Sequence, residues 1–204
     1  DVLGNPKAQS LFQTIGAVGS VLGLLVIPIL SKWFNKKVIY QISLIATIIG
    51  YVLMYIFGPV LKMTIALDIA YIISSTGIAA MFVGQTVFLA DIVDYGEFKN
   101  AERNESITFS MKGFLQKMAY TIQTLVLFGG LAMMNYNEQI TSATKQINDS
   151  TKTGIGIICF AVPPVLILLS LIVFTAKFKL HGDLADQVHD HIVTKRANEA
   201  KTNE

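Results

Sequence analysis

Apolar segments of membrane-spanning length recur along the chain, and they restrict its fold more than any other feature. A helix needs about 20 mainly apolar residues to cross the bilayer core. Charged residues form 15% of the sequence, against about 25% in ordinary soluble domains. We predict spans at residues 9–30, 38–57, 63–90, 107–134 and 154–176. The sequence therefore predicts an all-α polytopic membrane protein, with about five transmembrane helices in residues 1–178 and a polar tail in residues 179–204.

Basic residues are shared unevenly between the two sides of the predicted bundle. The connections on one side carry ten Lys and Arg residues, and those on the other carry four. Because basic loops tend to stay inside the cell, we predict that the SKWFNKK turn, the segment after the third span and the C-terminus are cytoplasmic. We expect a multi-pass protein of the cell membrane. Asp1 then lies outside without a signal peptide, so we expect a fragment that lacks a preceding span.

Composition and residue types argue against several functional classes. The net charge of +2 is too small to indicate a nucleic-acid partner. No nucleophile–base pair lies within the spans, so we do not expect an enzyme. The His189-Asp190-His191 group in the tail has no third ligand at a suitable spacing, so we predict no metal site. No cofactor is expected either.

The fourth span carries a lysine near the middle of the bilayer. Lys117 lies about ten residues, or roughly 15 Å of helix, inside the start of this span. A charge at this depth costs about 2.5–3.5 kcal/mol even on lenient scales, so it should face protein or water. It is either a structural lysine paired with a buried carboxylate or a binding or coupling residue in a water-filled cavity. The candidate substrate-binding or coupling residues are Gln13, Gly113, Gln116, Lys117, Tyr120 and Thr121.

A charged segment separates the third and fourth spans, and we predict that it forms a turn. Asp91 and Asp94 lie one helical turn apart if the third helix continues, so they could accept hydrogen bonds from Lys36 and Lys37 of the SKWFNKK turn. Such ion pairs would close one face of a transporter and break when that face opens. A solvated charged loop is the alternative interpretation.

This segment resembles the signature of the glycoside–pentoside–hexuronide cation symporters, the melibiose-permease-like sugar carriers of the major facilitator superfamily. The resemblance rests on the DIVDYGE motif at residues 91–97, followed by Arg103 and Glu105-Ser106. It runs from about Gly4 to the tail, in the order of helices eight to twelve of a twelve-helix carrier. The residues assigned to a cytoplasmic gate or conformational network are Lys36, Lys37, Asp91, Asp94, Tyr95, Gly96, Glu97, Arg103 and Glu105.

The resemblance also implies a role for the fourth span. Lys117, the thirteenth residue counted from Glu105, matches a helix-eleven lysine that lies by the sugar and cation site in melibiose-permease-like carriers. A sugar would enter a midplane cavity with Na⁺ or H⁺ while two helical bundles rock around it. The main acidic cation site would belong to an N-terminal bundle of the same polypeptide, which this chain lacks. The expected partners are the sugar, the lipid bilayer and that bundle.

Three positions depart from the pattern of this family. Ala101 stands where the family commonly has glycine before the arginine, which makes the backbone less free at this point. Lys112 and Gly113 stand where relatives carry uncharged polar side chains, a difference that bears on substrate or coupling-ion preference. Lys112 is also shallow enough for its side chain to extend to the cytoplasmic headgroups.

Two spacing patterns predict helix contacts. Small residues at positions 16, 19 and 23 of the first span would let another helix approach closely, either for simple packing or as a sliding surface. Leu184, Val188 and Ile192 recur every four residues in the tail. They predict a short amphipathic helix that lies against the membrane or against the cytoplasmic face of the protein.

The sequence leaves two alternatives to a sugar–cation symporter. One is an accessory or structural membrane subunit, in which the lysines of the fourth span would merely pair with a partner protein. The other is a major facilitator carrier for a substrate that is not a sugar. The choice of sugar and ion would depend largely on the other bundle.

Overall fold

A computed structural model describes residues 6–61, 63–133, 149–178, 180 and 182–202, and the regular structure in these ranges is entirely helical. Two π-helical turns interrupt the regular helices, one directly after the second helix at Ile56–Val60 and one at Ile157–Ala161. In chain order the helices are α1 (Pro6–Leu30), α2 (Lys36–Tyr55), α3 (Thr64–Asn100), α4 (Glu105–Met133), α5 (Asp149–Gly156), α6 (Val162–Lys177) and α7 (Asp183–Thr202).

Several stretches of the described helices have the length that a bilayer requires. The stretches long and apolar enough to cross a membrane are Phe12–Leu30, Lys36–Gly58, Ile65–Asn100 and Thr153–Lys177. Helix α4, with 29 residues, is also long enough, but its polar side chains keep it out of this apolar group. The predicted all-α polytopic membrane fold is confirmed, and residue 134, the predicted end of the fourth span, lies outside the described residues.

The third helix is longer than predicted, and the prediction of a turn in its charged segment was wrong. Helix α3 runs for 37 residues to Asn100 instead of ending near residue 90. The segment has no proline and no run of turn-forming residues, so its backbone can continue the hydrogen-bonding pattern of the helix. The helix ends at Ala101, whose φ of 59° and ψ of 7° place it in the left-handed region that often caps helices.

The small residues of α1 bring its backbone against α3. A Cβ atom added at Gly19 would lie 2.8 Å from the backbone oxygen of Ile72, so no larger side chain fits without a shift. At the same contact the Thr76 hydroxyl donates a hydrogen bond of 2.9 Å to the Gly19 carbonyl. Close packing through small residues and interhelical hydrogen bonds is how helices associate in lipid.

Helix α2 packs between α3 and α6 around a cluster of aromatic rings. The buried Tyr40 of α2 and Phe88 of α3 meet edge to face, with their ring centroids 5.3 Å apart. Phe174 of α6 lies 4.7 Å from Tyr40, centroid to centroid, and Phe178 lies 4.7 Å from Phe88. This cluster fixes the ends of three helices next to the charged segment of α3.

The proline pair of the last span is accommodated without a break in the helix. Pro163 and Pro164 occupy the first turn of α6, where a missing backbone N–H costs little. The π-helical turn Ile157–Ala161 precedes this helix, so the wider turn lies where the two prolines interrupt the regular hydrogen-bonding pattern.

Helices α4 and α7 contact the bundle in different ways. None of the described side chains of α4 is buried, and a Cβ at Gly130 near its far end would meet Ile158. Helix α7 instead buries Val188 and Ile192, which are 4% and 3% exposed, as it packs against α3. The predicted amphipathic tail helix therefore lies against protein in this structure.

Candidate functional site

The last three turns of α3 present a row of carboxylates on one face. Asp91, Asp94 and Glu97 follow one another at three-residue intervals, so they stack along the helix; we call these three residues the acidic end of α3. The ammonium of Lys36, in the first turn of α2, bonds both oxygens of Asp91 at 2.9 and 3.1 Å. This contact links the start of α2 to α3, as the sequence predicted for this pair.

Arg103 is the centre of a second set of ion pairs. Its Nη1 lies 3.0 Å from Asp94 Oδ1 and 3.1 Å from Glu97 Oε2, and its Nη2 lies 3.1 Å from Glu105 Oε2. Hydrogen bonds to Glu97 and then Asp94 raise the pKa of the Arg103 guanidinium, so it stays charged at any physiological pH. The left-handed Ala101 reverses the chain and carries Arg103 back over the acidic end.

The tail helix completes this network with two basic residues that sequence reasoning missed. Lys195 Nζ lies 2.7 Å from Glu97 Oε1, and Arg196 Nη2 lies 3.5 Å from Asp94 Oδ1. Glu97 is only 7% exposed and forms ion pairs with one cation from the α3–α4 connection and one from α7. The amphipathic spacing of Val188 and Ile192 could have indicated this contact. A helix that is buried at those positions brings its next turn, with Lys195 and Arg196, to the same protein surface.

Some predicted gate residues take other positions. Lys37 donates a hydrogen bond of 3.0 Å to the carbonyl of Phe178 and so ties α2 to the end of α6. Tyr95 and Gly96 lie on α3 within the acidic end. Among the described residues, the Tyr95 hydroxyl has no hydrogen-bond partner, and a Cβ at Gly96 would meet nothing within 4 Å.

The predicted binding residues form two adjacent rows on α4. Gln116 and Tyr120 are one turn apart, and the Gln116 amide donates to the Tyr120 hydroxyl at 3.3 Å. Lys117 and Thr121 make the second row, in which the Thr121 hydroxyl donates to the Lys117 carbonyl at 3.0 Å. All four side chains are exposed, and a Cβ at Gly113 would have open space.

Lys117 finds no carboxylate partner within the described part of the chain. Asp68 is the carboxylate within another span, and it lies in the second turn of α3, at the end of that helix far from its acidic end. Gln13, the candidate on α1, is exposed and makes no hydrogen bond to the polar residues of α4 among those described. The structure thus gathers the α4 candidates on one helix and leaves Gln13 apart.

The Lys112 side chain contacts α3 instead of extending to the cytoplasmic headgroups, as the sequence suggested it could. Its Nζ lies 3.3 Å from the Thr86 hydroxyl and 5.5 Å from the centroid of the Phe82 ring, both on α3. Thr86 precedes Asp91 by more than one helical turn, so the ammonium contacts the apolar part of α3 instead of its acidic end. The contact places the ammonium of Lys112, the second on α4 besides that of Lys117, next to the membrane-crossing part of α3.

A bundle of membrane-spanning helices with ion pairs at one end and an exposed polar helix has the architecture of a membrane carrier. The family model described as MFS/sugar transport protein matches residues 1–181. The chain belongs to this major facilitator family of sugar transport proteins, and the predicted family resemblance is confirmed.

Curated relatives support the same family at low identity. The chain is 28% identical to the "Uncharacterized symporter YjmB" of Bacillus subtilis, over 94% of this chain and 39% of the relative. It is 27% identical to the "Lactose permease" of Leuconostoc lactis, over 99% and 32%. The "Raffinose carrier protein" of Pediococcus pentosaceus is 24% identical, over 95% and 29%. The chain therefore spans between 29% and 39% of the length of these relatives.

Proposed function

We propose that this chain is the C-terminal helical bundle of a secondary active transporter that moves a sugar or glycoside with Na⁺ or H⁺ by alternating access. The observation that carries the proposal is the division of the bundle into two regions. One end is held by charges shared among α2, α3, α7 and the α3–α4 connection. The polar face of α4 beside it is left open. The names of the relatives support a sugar as the substrate.

The acidic end of α3 is proposed as part of the cytoplasmic gate. Asp94, Glu97 and Glu105 face three cations, Arg103 and the Lys195 and Arg196 of α7, so this set of groups is balanced in charge. Glu105, the first residue of α4, is one of the carboxylates that pair with Arg103. A movement of α4 relative to α3 would therefore break hydrogen bonds of Arg103, and the gate would hold α4 until substrate binding offsets their loss.

The open rows of α4 are proposed to face a cavity between this bundle and an opposing one. Lys117, Gln116, Tyr120 and Thr121 offer an ammonium, an amide and two hydroxyls, which are the donors and acceptors that sugar hydroxyls require. Polar side chains at bilayer depth are tolerated where they line water or protein. Lys117 would then contact the sugar or the coupling ion site supplied by the opposing bundle.

Gradient-driven uptake tests the proposal. The complete gene product would be reconstituted in vesicles, and uptake of radiolabelled glycosides would be measured under imposed Na⁺ or proton gradients. We expect accumulation that Lys117→Ala abolishes, while Lys99→Ala, an exposed lysine at the end of α3, leaves it unchanged. Equal amounts of inserted protein would be verified for each variant. Normal accumulation by Lys117→Ala would refute its role, and no glycoside uptake by inserted wild type would favour a non-sugar carrier or an accessory subunit.

A further inference from the structure

The ends of three membrane-crossing stretches meet around the turn between α1 and α2. One stretch ends just before this turn, at Phe12–Leu30, and the next, Lys36–Gly58, begins as the turn ends. The third, Thr153–Lys177, ends on α6. The Lys37 ammonium donates a hydrogen bond of 3.0 Å to the carbonyl of Phe178, directly after α6, so the end of α6 lies against the start of α2. The three ends therefore share one level of the membrane, where the apolar core gives way to headgroups.

Lys32, Lys37 and Lys177 lie at this level, and we call these three residues the basic patch. The SKWFNKK turn contains three lysines and no acidic residue. The carboxylate that pairs with this turn is Asp91, and Lys36 bonds both of its oxygens. No carboxylate of the described ranges pairs with the basic patch. The carbonyl that accepts from Lys37 has no net charge and uses one of its three donors, so the patch keeps free donors for an anion.

The electrostatics of α2 do not account for the lysines at its start. The first turn of a helix carries partial positive charge, so acidic side chains are favoured there and basic ones are not. The first turn of α2 has no acidic residue, and its N-cap, Asn35, forms no capping hydrogen bond with its side chain. Lys36 and Lys37 therefore stand against the field of their own helix. A negative group outside the helix would stabilise them.

Trp33 lies in the same turn and points away from the protein. Its side chain is 82% exposed, and that of Phe34 is 45% exposed. The backbone beneath them is fixed, since both amides donate hydrogen bonds to the Leu30 carbonyl, at 3.0 and 2.9 Å. An outward tryptophan suits the boundary between headgroups and acyl chains, where its ring contacts lipid and its N–H contacts polar groups. The turn thus combines an apolar anchor with charged donors.

We propose that the basic patch and Trp33 form a binding site for an anionic phospholipid. Lys37 and Lys177, at the contact between α2 and α6, donate hydrogen bonds to its phosphate. Lys32 adds positive charge in the same headgroup layer, and the ring of Trp33 packs against the upper part of the acyl chains. Basic side chains between membrane helices bind anionic headgroups in this manner. The site needs no sugar and therefore goes beyond the proposed function.

Quenching of Trp33 fluorescence by brominated lipids tests this site. The complete carrier would be reconstituted in phosphatidylcholine bilayers that contain increasing fractions of either brominated phosphatidylglycerol or brominated phosphatidylcholine. The signal of Trp33 is the difference between wild type and Trp33→Phe. A lysine near an anionic surface contributes about fivefold to affinity, so phosphatidylglycerol should quench Trp33 at a mole fraction at least about fivefold lower than phosphatidylcholine.

Charge variants show whether the basic patch causes this preference. Lys177→Gln and Lys37→Gln should each reduce it by up to about fivefold, whereas Lys37→Arg should retain it because the charge is kept. Lys177 is exposed and makes no hydrogen bond or ion pair within the described residues, so its replacement should leave the fold intact. Lys99→Gln is the matched control, since it removes an exposed lysine from the last turn of α3 and should leave the preference unchanged.

Each other outcome of this experiment would overturn the lipid site. Equal quenching by the two lipids would show that the patch does not select an anionic headgroup. A preference that survives in Lys177→Gln and Lys37→Gln, or that falls equally in Lys99→Gln, would show a general effect of surface charge. Recovery of the fluorescence on addition of inorganic phosphate at constant ionic strength would identify a free anion as the occupant. None of these measurements requires transport, so their results stand whether or not the carrier takes up a sugar.

Discussion

Helices α2 and α4 are both long enough to cross a bilayer, yet they are packed in opposite ways. Helix α2 buries Ser43, Thr47 and Gly50 against α3, whereas none of the described side chains of α4 is buried. Helix α4 is also the more polar of the two, since α2 contains one of the apolar membrane-crossing stretches and α4 does not. In lipid, close backbone approach and hydrogen bonds hold helices together, and apolar side chains alone give no net drive. We call the packed helices α1, α2, α3 and α6 the scaffold; α4 has no buried side chain among the described residues.

The largest expected effect comes from a glycine-to-alanine substitution in the packed helices, compared with the same substitution in α4. In Gly77→Ala, the new Cβ would lie 2.8 Å from the Ser43 carbonyl oxygen and 2.9 Å from the Thr47 nitrogen, so two backbones must separate. We expect a loss of about 1–3 kcal/mol in the free energy of unfolding. Gly113→Ala meets open space and should be neutral or slightly stabilising in the bundle.

Thermal unfolding of the detergent-solubilised carrier measures this difference. Gly113→Ala should keep the unfolding midpoint but reduce glycoside uptake if its face lines the cavity. Equal destabilisation by both alanines would show that α4 is as tightly packed as α2. Such a result would remove the contrast between the two regions.

The packed region was largely predictable from sequence, because apolar length and small-residue spacing depend on one helix at a time. The extension of α3 to Asn100 was not predicted, since a charged run was interpreted as a turn without its partners being known. Some of those partners are distant in sequence: Lys195, which is paired with Glu97, lies 98 residues further along the chain. Only the fold brings such residues together.

The candidate site was predictable only where it depends on the spacing of residues along a single helix. Gln116 and Tyr120, both candidates from the sequence, lie one turn apart and are joined by a hydrogen bond. The direction of the Lys112 side chain was not predictable, because it depends on Phe82 and Thr86 of a neighbouring helix.

The connection between the scaffold and α4 can be weakened at Arg103. In Arg103→Ala, Asp94, Glu97 and Glu105 each lose a charged hydrogen-bond donor. Because the guanidinium is 41% exposed, solvent screens part of this loss, and we expect about 1–2 kcal/mol in the free energy of unfolding. Arg103→Lys should recover only part of it, since an ammonium cannot reproduce the planar fork of donors.

Glu102→Ala is the control for the Arg103 series, as its exposed side chain forms no ion pair among the described residues. Thermal midpoints and uptake rates would be compared across the set. If Arg103→Ala behaved like Glu102→Ala, the ion pairs would not hold α4 to the scaffold.

A smaller and stabilising effect is expected at Ala101. This residue has a φ of 59°, where a Cβ is disfavoured and glycine is not. Ala101→Gly should therefore raise the free energy of unfolding by up to about 1 kcal/mol. The control is Ala90→Gly within α3, where the same change should destabilise by about the same amount because the helix interior disfavours glycine. A lower midpoint for Ala101→Gly would contradict the left-handed cap between α3 and α4.

The smallest effect is expected at the ion pair that links two helices of the scaffold. Lys36 and Asp91 are 63% and 27% exposed, so water and salt screen their attraction. Lys36→Ala should cost about 0.2–1 kcal/mol, or up to roughly a fivefold shift in any equilibrium that breaks the pair. The exchange Lys36→Asp with Asp91→Lys should restore most of the loss at low salt, whereas either change alone should not. Lys32→Asp, in the SKWFNKK turn just before α2, tests whether any charge reversal near Lys36 has the same effect. A double variant no more stable than its singles would show that the pair contributes only packing, and that the scaffold is held by its buried glycines and hydroxyls alone.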